Sequence, residues 1–448
     1  MREINYSHIA IVGFLTVGAF TEQANALPMF SQQTGMECAG CHTQIMPRLN
    51  KMGRKFAASG MTLSKKVSDI NGTAGSDFIS NMDINPSMLI KTKYNKTYDK
   101  PDGKGVIDTS EDSTNDGEFS PVRMATFYVG GRITENVGAI VKFGHRKEEG
   151  NSIEGKAVYA YPVTDESYLG AVFFSTASLG PFSGMEFYNT GLYKPLRMFD
   201  MKIYNNTTQK QKVGAQAASG LQVYYDRDSL FNENDHFFFT AGMYFPAQDS
   251  LVYDIGDNLL PFARIAYEYM YGDFNFIVGG FLIKGGDIVS PTEPLHIKRE
   301  TYGVDFQVEG TIYEHDVTLT ATYILKNDVE YSGINSDLDE YDTESRYDEG
   351  FSIQGAYSVT DDIIAKASYM HYNDKNEYRK DNLNGTESPA KTTKINVKDL
   401  DYAIGLGVDY GFTLIVPMKL AVEYAWMQPS LNRVKKYQDF MVTLTMPF

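Results

Sequence analysis

Two cysteines and one histidine have the spacing of a cofactor attachment site. Cys38-Ala39-Gly40-Cys41-His42 matches the C-x-x-C-H pattern of covalent haem attachment. Residues three and four apart share one face of a helical turn, so both thiols can bond one haem while His42 ligates its iron. The sequence has no other cysteine, which leaves no second thiol pair for a zinc site and none for a disulfide. The motif therefore predicts one covalently bound haem c held by Cys38, Cys41 and His42.

The sixth ligand of the haem iron is less closely defined. Methionine or histidine is expected for an electron-transfer haem. Met46 follows the motif too closely to reach the opposite face, and Met52 lies on an apolar helical stripe. Met61, just beyond that helix, is predicted as the second iron ligand, with core packing as the alternative role. His145 and His371 fall near strand ends on outward-facing registers and are predicted to be rim residues.

A helix is predicted directly after the haem motif. In residues 47–60, Leu49, Met52 and Phe56 recur at helical spacing, and Gly60 is predicted as the C-cap. Basic residues of this stretch either neutralise the haem propionates or form a solvated helix face: Arg48, Lys51, Arg54 and Lys55.

The N-terminus has the features of a secretory signal peptide. Arg2 precedes an apolar run over residues 9–20, and the Ala-Asn-Ala at 24–26 is a small-x-small cleavage site. The run is too short to span a bilayer as an uncleaved anchor. Residues 1–26 are therefore predicted to be removed on export. Residues 27–80 are predicted to form a small α-helical monohaem cytochrome c domain with a polar connector.

From about residue 81 onward the apolar period changes from helical to two. Four stretches show the alternation: 302–312, 316–323, 402–410 and 420–426. In the first of these, Asp305, Gln307 and Glu309 lie opposite the apolar side. The chain is rich in Tyr and Phe (31 and 27), and no further stretch has eighteen consecutive apolar residues. These features favour an all-β transmembrane barrel over 81–448, although alternation alone also fits a soluble sandwich.

The connections between the predicted strands have unequal lengths. Short turns lie near residues 135, 272, 313 and 360, and long polar loops lie near 97–118, 285–300, 328–349 and 374–399. Outer-membrane barrels have short periplasmic turns and long outer loops. About 16 antiparallel strands are predicted, starting near residues 81, 119, 137, 154, 167, 220, 236, 260, 274, 301, 315, 350, 362, 400, 417 and 437. The stretch 177–219 is either a loop folded inward or a further hairpin that makes 18 strands.

The last strand carries a further indication of the outer membrane. Alternate residues from Phe440 to the terminal Phe448 are apolar. This pattern resembles the C-terminal signal by which bacterial outer-membrane barrels are recognised for insertion. An ordinary amphipathic edge strand is the alternative.

Composition and motif content narrow the range of partners and activities. The formal net charge of −16 argues against nucleic acid as a partner, because phosphate contacts need Lys and Arg. The sequence has no P-loop, no H-E-x-x-H motif and no serine-hydrolase elbow. The loops 97–118 and 328–349 are rich in Asp and Glu. They either attract hard cations such as ferrous iron or are simply solvated.

The flanks of the haem motif resemble those of a known family. The matching residues are Pro28, Phe30, Gln33, Thr34 and Gly35 before the motif and Pro47, Leu49, Gly53, Arg54, Phe56 and Gly60 after it. They resemble the fused monohaem cytochrome–porin family of iron-oxidising bacteria, in which a short cytochrome precedes an outer-membrane barrel. The resemblance covers residues 28–60, and the sequence departs from it at Gln32, Met52 and Met61.

The resemblance implies an oxidoreductase of the bacterial outer membrane that acts on ferrous iron. It implies extracellular ferrous iron as electron donor, a periplasmic c-type cytochrome or other carrier as acceptor, and outer-membrane lipid around the barrel. Two other functions stay open from the residues themselves. One is a porin-type solute channel with a haem-bearing plug, and the other is a conduit that reduces an external acceptor. The direction of electron flow rests on the resemblance alone.

Overall fold

A computed structural model describes most of the predicted cytochrome segment and all of the predicted strands. The described residues are 29–43, 48–64, 82–98, 117–146, 150–176, 218–245, 259–289, 295–333, 344–374, 400–414, 416–429 and 437–448. The predicted signal peptide and Met46 lie outside them, as do residues 177–217 and much of the predicted long loops. Among the described residues, no helix is long and apolar enough to cross a bilayer.

The described part of the N-terminal segment contains three short helices and a two-stranded ribbon. Its elements are α1 (Met29–Thr34), α2 (Cys38–Cys41), β1 (His42–Thr43), β2 (Arg48–Leu49) and α3 (Lys51–Ala58). The helix predicted over 47–60 is shorter than expected, because β2 pairs with β1 and Asn50 then caps α3. The Asn50 side chain accepts a hydrogen bond from the Gly53 amide at 2.9 Å, which satisfies one of the unpaired donors of the first turn.

Helix α3 ends in a glycine-dependent reversal of the chain. The C-cap is Ser59 rather than the predicted Gly60, which follows it at a φ of +77°. The Gly60 amide donates to Ala57 O (3.1 Å) and the Met61 amide to Phe56 O (3.0 Å). These two bonds define a Schellman motif, in which the residue after the cap is left-handed and therefore usually glycine.

The other sixteen strands form one closed antiparallel barrel in chain order. Their bounds are β3 Asp83–Tyr98, β4 Glu118–Arg132, β5 Val137–Arg146, β6 Gly150–Thr164, β7 Ser167–Thr176, β8 Ala218–Asp228, β9 Asp235–Phe245, β10 Leu260–Tyr271, β11 Phe274–Val289, β12 Leu295–Ile312, β13 His315–Gly333, β14 Glu344–Ser358, β15 Ile363–Asp374, β16 Leu400–Thr413, β17 Pro417–Pro429 and β18 Tyr437–Pro447. Strand β18 pairs with β3, where Phe448 and Met88 exchange two backbone hydrogen bonds. The prediction of 16 strands is confirmed, and the 18-strand alternative is wrong because β7 pairs directly with β8.

Two of the predicted loops are wrong in extent. Strand β12 begins at Leu295 rather than near 301, and β14 begins at Glu344 rather than near 350. Their partners β11 and β13 continue to Val289 and Gly333, so most of 285–300 and much of 328–349 is strand. The ladders shift register at bulges in this region, between Gly285 and Ile288 and between Ile324 and Asn327. A bulge breaks the two-residue period, so these strand ends are missed by a search for alternation.

The barrel exposes its apolar face and encloses its polar face. Many apolar residues face outward and are exposed, and five of them are about half exposed or more: Phe173, Leu221, Val223, Ile265 and Val278. Asp305, Gln307 and Glu309 face the lumen and are nearly fully buried, as their alternation predicts. A soluble sandwich would bury the apolar face instead. A closed antiparallel barrel of this polarity is the architecture of the bacterial outer membrane.

The two ends of the barrel differ as predicted. Short turns such as 165–166, 272–273 and 313–314 connect the strands at one end, and the longer connections lie at the other. Exposed tyrosines surround the short-turn end, as in the aromatic girdle of a membrane interface: Tyr161, Tyr271, Tyr313 and Tyr410. In outer-membrane barrels the short turns face the periplasm.

Candidate functional site

The N-terminal segment lies inside the barrel, near the short-turn end. Tyr224, on the inward face of β8, donates a hydrogen bond to Ala58 O at 2.6 Å. Arg132, the last residue of β4, donates from Nη1 to Thr62 O at 2.7 Å. Barrel side chains thus bind carbonyl groups at and beyond the C-terminus of α3, where a helix leaves its acceptors unpaired. These contacts place the predicted haem segment in the periplasmic half of the lumen.

The segment and the barrel share one apolar core. Phe56, Ala57 and Met61 of the segment are at most 6% exposed. The barrel residues of the same cluster face inward from strands β6 to β13: Val158, Val172, Phe174, Ala218, Tyr224, Phe238, Tyr244, Leu260, Phe262, Ala266, Ile277, Phe281, Ile283 and Ile324. Phe30 packs against this cluster, with its ring edge-on to Phe56 at 5.0 Å between centroids. Burial of apolar surface therefore holds the segment in the lumen.

Gln33 joins the two ends of the segment to the barrel wall. Its side chain is fully buried. Nε2 donates to Met61 O (2.8 Å) and Leu63 O (2.6 Å), and Oε1 accepts from the Arg132 amide at 3.2 Å. Since a buried amide must satisfy both its donor and its acceptor, this position suits glutamine in particular.

The three residues of the C-x-x-C-H motif that are predicted to bind haem lie close together in the structure. Cys38 and Cys41 are free, half-buried thiols at the two ends of α2, and His42 follows directly in extended conformation. Burial, with a smaller contribution from neighbouring Cys38, raises the pKa of the Cys41 thiol. Two unpaired thiols one turn apart, followed by an imidazole, are the donor set that haem c attachment needs. The residues present therefore fit the predicted cofactor.

The start of α3 packs directly against the cysteine turn. The Asn50 side chain donates to Ala39 O and Gly40 O, both at 3.2 Å, and the Asn50 amide donates to Cys41 O at 3.0 Å. A Cβ atom at Gly53 would lie 2.1 Å from Cys41 O. Glycine is required at position 53 because the backbone of the haem motif occupies the space of a side chain.

Arg54 does not lie on a solvated helix face. Its side chain is 2% exposed and forms ion pairs with Glu268 (Nη2–Oε1, 2.9 Å) and Glu309 (Nη1–Oε1, 2.5 Å) of the barrel wall. Its role at the haem propionates stays a prediction, whereas the prediction of a solvated face is wrong for this residue. The reason is that Arg54 lies on the face of α3 that meets the barrel. A helix alone does not reveal which face that is.

The other basic residues of the helix lie closer to solvent. The Lys55 side chain is 45% exposed and pairs with Asp228 at 2.8 Å. The hydrogen bond with Asp228 raises the pKa of Lys55. Lys51 is half-buried, and the side chain of Arg48 lies outside the described part of the chain. For these residues the role at the propionates stays a prediction.

The remaining candidate ligands occupy different environments. Met61 is buried at 3% exposure, next to Phe56 in the shared core, and has a φ of +58°. Met52 is half-buried. His145 and His371 are exposed on the outer face near the ends of β5 and β15, as predicted for rim residues. The role of Met61 as iron ligand stays a prediction.

Sequence reasoning missed a charged network around Arg54. Asn275 Nδ2 donates to Glu268 Oε1 at 2.6 Å and to Glu309 Oε1 at 3.2 Å. His236 joins Glu268 (Nδ1–Oε2, 3.6 Å) to Asp226 (Nε2–Oδ2, 2.9 Å). We call these residues, with Arg54, the Arg54 network. The only sequence signal was a carboxylate such as Glu309 on the inward register of an alternating strand.

The predicted acidic loops lie largely outside the residues that the structure describes. Residues 99–116 and 334–343 lie outside the described part of the chain, so the predicted attraction of cations stays a prediction. Among the residues that are described, no three His, Cys, Asp or Glu side chains are arranged to hold a metal ion.

Comparison with known proteins finds similarity in the barrel fold. No protein-family profile and no curated protein matches the chain. Among solved structures, OmpTdeltaL8, a loop L8 deletion mutant of the outer-membrane protein OmpT of Vibrio cholerae, is 14% identical with a TM-score of 0.42, over 82% of this chain and 99% of its own. The outer-membrane channel DcaP of Acinetobacter baumannii is 12% identical with a TM-score of 0.46, over 82% and 96%. OmpF of Salmonella typhi, in complex with daunomycin, is 12% identical with a TM-score of 0.49, over 82% and 97%.

Proposed function

We propose that this chain is an outer-membrane c-type cytochrome that oxidises extracellular ferrous iron and passes the electrons to a periplasmic c-type cytochrome or similar carrier. The observation that carries the proposal is the position of Cys38, Cys41 and His42 on a segment that is built into the lumen of a membrane barrel. A plain porin has no need of an attachment motif, and a soluble cytochrome has no need of a barrel.

Each part of the segment has a defined role in this proposal. Cys38 and Cys41 tether the haem through thioether bonds, and His42 ligates its iron. Haem c held by these residues would supply a one-electron redox centre between ferrous iron and the periplasmic carrier. The apolar core around Phe56 keeps water from one side of the segment, and Gly53 allows α3 to support the cysteine turn from behind.

The position of the segment defines how donor and acceptor approach. The hydrocarbon core of a bilayer is about 30 Å thick, which is too far for one efficient electron-transfer step. Because the segment lies in the periplasmic half, the carrier reaches it from the short-turn end. In this proposal the ferrous donor approaches through the lumen from the long-loop end, opposite the carrier.

A solute channel with a haem-bearing plug is the second candidate. The observation that favours it is the barrel itself, because sixteen strands with polar inward residues are wide enough for an aqueous channel. The two candidates differ in what the haem does. Solute flux through a channel persists without haem, whereas electron transfer does not.

The test uses the full-length protein in liposomes that contain oxidised cytochrome c. External ferrous iron should reduce the trapped cytochrome with the wild-type protein, and neither Cys41→Ala nor His42→Ala should support the reaction. A reduced-minus-oxidised spectrum of the purified protein first establishes haem c. If the haem-free variants support the same rate, or if iron never reduces the haem while sugars cross the liposome membrane, the channel function replaces the oxidase.

A further inference from the structure

The Arg54 guanidinium contacts both the barrel wall and the predicted haem segment. Besides its ion pairs to Glu268 and Glu309, Nη1 donates a hydrogen bond to Leu49 O at 2.8 Å. Leu49 is the residue of β2 that pairs with His42 of β1. The buried Arg54 guanidinium therefore contacts the barrel directly and is connected to His42, the predicted iron ligand, through Leu49.

The residues next to Arg54 in the chain also contact the cysteine turn. Gly53, its neighbour in α3, lies against Cys41 O, and Asn50 binds the carbonyls of that turn. A displacement of the α3 backbone at Arg54 would therefore be transmitted to the cysteine turn. The wall that receives Arg54 is equally constrained. Glu309 lies opposite Asn275 in the β11–β12 ladder, and Asn275 also binds Glu268 of β10.

The neighbouring residue of α3, Lys55, also forms an ion pair with the barrel wall, but this pair is more exposed to solvent. The Lys55 and Asp228 side chains are 45% and 21% exposed. Exposed ion pairs contribute little, because water solvates both charges when they separate. A buried carboxylate pair that loses its cation is left uncompensated, and that state is strongly unfavourable. Of these two ion pairs, only that of Arg54 is buried enough to fix the orientation of the segment.

We propose that Arg54 is a positioning residue: the Arg54 network fixes the haem-attachment turn at one place in the lumen and keeps the segment docked as the plug of the barrel. This role is separate from ferrous iron oxidation. Of the two quantities measured below, only the midpoint potential requires that the protein carries the proposed haem.

The experiment compares four forms of the full-length protein with the wild type. Arg54→Met removes the cation and keeps an unbranched apolar side chain. Glu268→Gln/Glu309→Gln neutralises the wall with side chains of equal size. The triple variant combines both changes, and Lys55→Met is the matched control one residue along the same helix. Heat-modifiable migration in gels shows that each barrel is folded. Ion conductance in planar bilayers and the midpoint potential of the haem are then measured.

Arg54→Met and the wall variant should each increase conductance and shift the midpoint potential, because either leaves buried charge unpaired. The triple variant should move both quantities back toward the wild type. Lys55→Met should leave conductance unchanged; it is the control for conductance alone, because Lys55 is itself a candidate partner of the haem propionates. If Arg54→Met fails to assemble, the wall variant alone decides. Wild-type conductance and potential in the variants that lack the ion pairs would overturn the proposal, as would an equal effect of Lys55→Met on conductance. Because conductance needs neither haem nor iron, a failure of the oxidase function would leave this result readable.

Discussion

Gln33 gives the sharpest prediction, because it has a matched control at the preceding residue. Gln33→Ala removes three hydrogen bonds in a fully buried site, to Met61 O, Leu63 O and the Arg132 amide. At about 1 kcal/mol net for each bond, docking of the segment should weaken by about 3 kcal/mol. Gln32→Ala removes a solvent-exposed bond, to Pro86 O at 3.1 Å, and should weaken docking by well under about 1 kcal/mol, because water replaces an exposed bond.

Hydrogen exchange can measure the difference in docking between the two variants, whereas a global unfolding experiment reports mainly the stability of the barrel. The barrel unfolds separately from a local opening of the segment, so amide protection over residues 53–64 reports docking itself. A loss of about 3 kcal/mol corresponds to a loss of protection of about 100-fold, at 1.4 kcal/mol for each factor of ten. The reasoning is refuted if Gln33→Ala changes protection by less than a factor of about three. It is also refuted if Gln32→Ala has an effect as large.

Three further perturbations test other parts of the site. Gly53→Ala places a Cβ 2.1 Å from Cys41 O and should weaken docking of the segment by about 1–3 kcal/mol and reduce the haem content. Gly40→Ala is the control, because its Cβ would meet only side-chain atoms of Met36 at 3.4 Å, and it should keep wild-type docking and haem content. Equal haem content in the two variants would contradict this steric explanation. Met61→Leu keeps the apolar volume but removes the sulfur, so haem should stay attached with a lower midpoint potential and an altered spectrum. Met52→Leu is the control and should leave the potential and the spectrum unchanged. An unchanged spectrum of the Met61→Leu variant would mean that the sixth iron ligand is another residue. Ferrous iron held in a polymer-bound chelate should reduce the haem far more slowly than hydrated ferrous iron, as stopped-flow absorbance would measure, and equal rates would exclude approach through the lumen.

The sequence allowed the barrel to be predicted because alternation is a local signal. Each strand shows its two faces within a few residues, so the strand count and the inward position of Glu309 follow from short windows. The contact between Arg54 and Glu268 joins residues 214 apart. It depends on the register of three strands and on which face of α3 meets the wall. For that reason Arg54 appears as one of several basic residues in the sequence, and only the structure singles it out.

The flanks of the haem motif are explained by the barrel more than by the haem. Gln33 and Arg54 bind the wall, and Gly53 gives room to the Cys41 carbonyl. Gly60 reverses the chain where a Cβ at Gly138 of the barrel would lie 2.1 Å from its carbonyl oxygen.

A segment of some forty residues cannot bury a sufficient core by itself without a cross-link, a metal or a partner. Here inward-facing residues of the barrel complete the apolar cluster around Phe56. C-x-x-C-H is the predicted site of haem attachment, whereas the contacts of Gln33, Gly53, Arg54 and Gly60 join the segment that carries it to itself and to the barrel wall. A chain that keeps the motif and Gly53 but lacks the other three residues would therefore be expected to attach haem and leave the segment undocked.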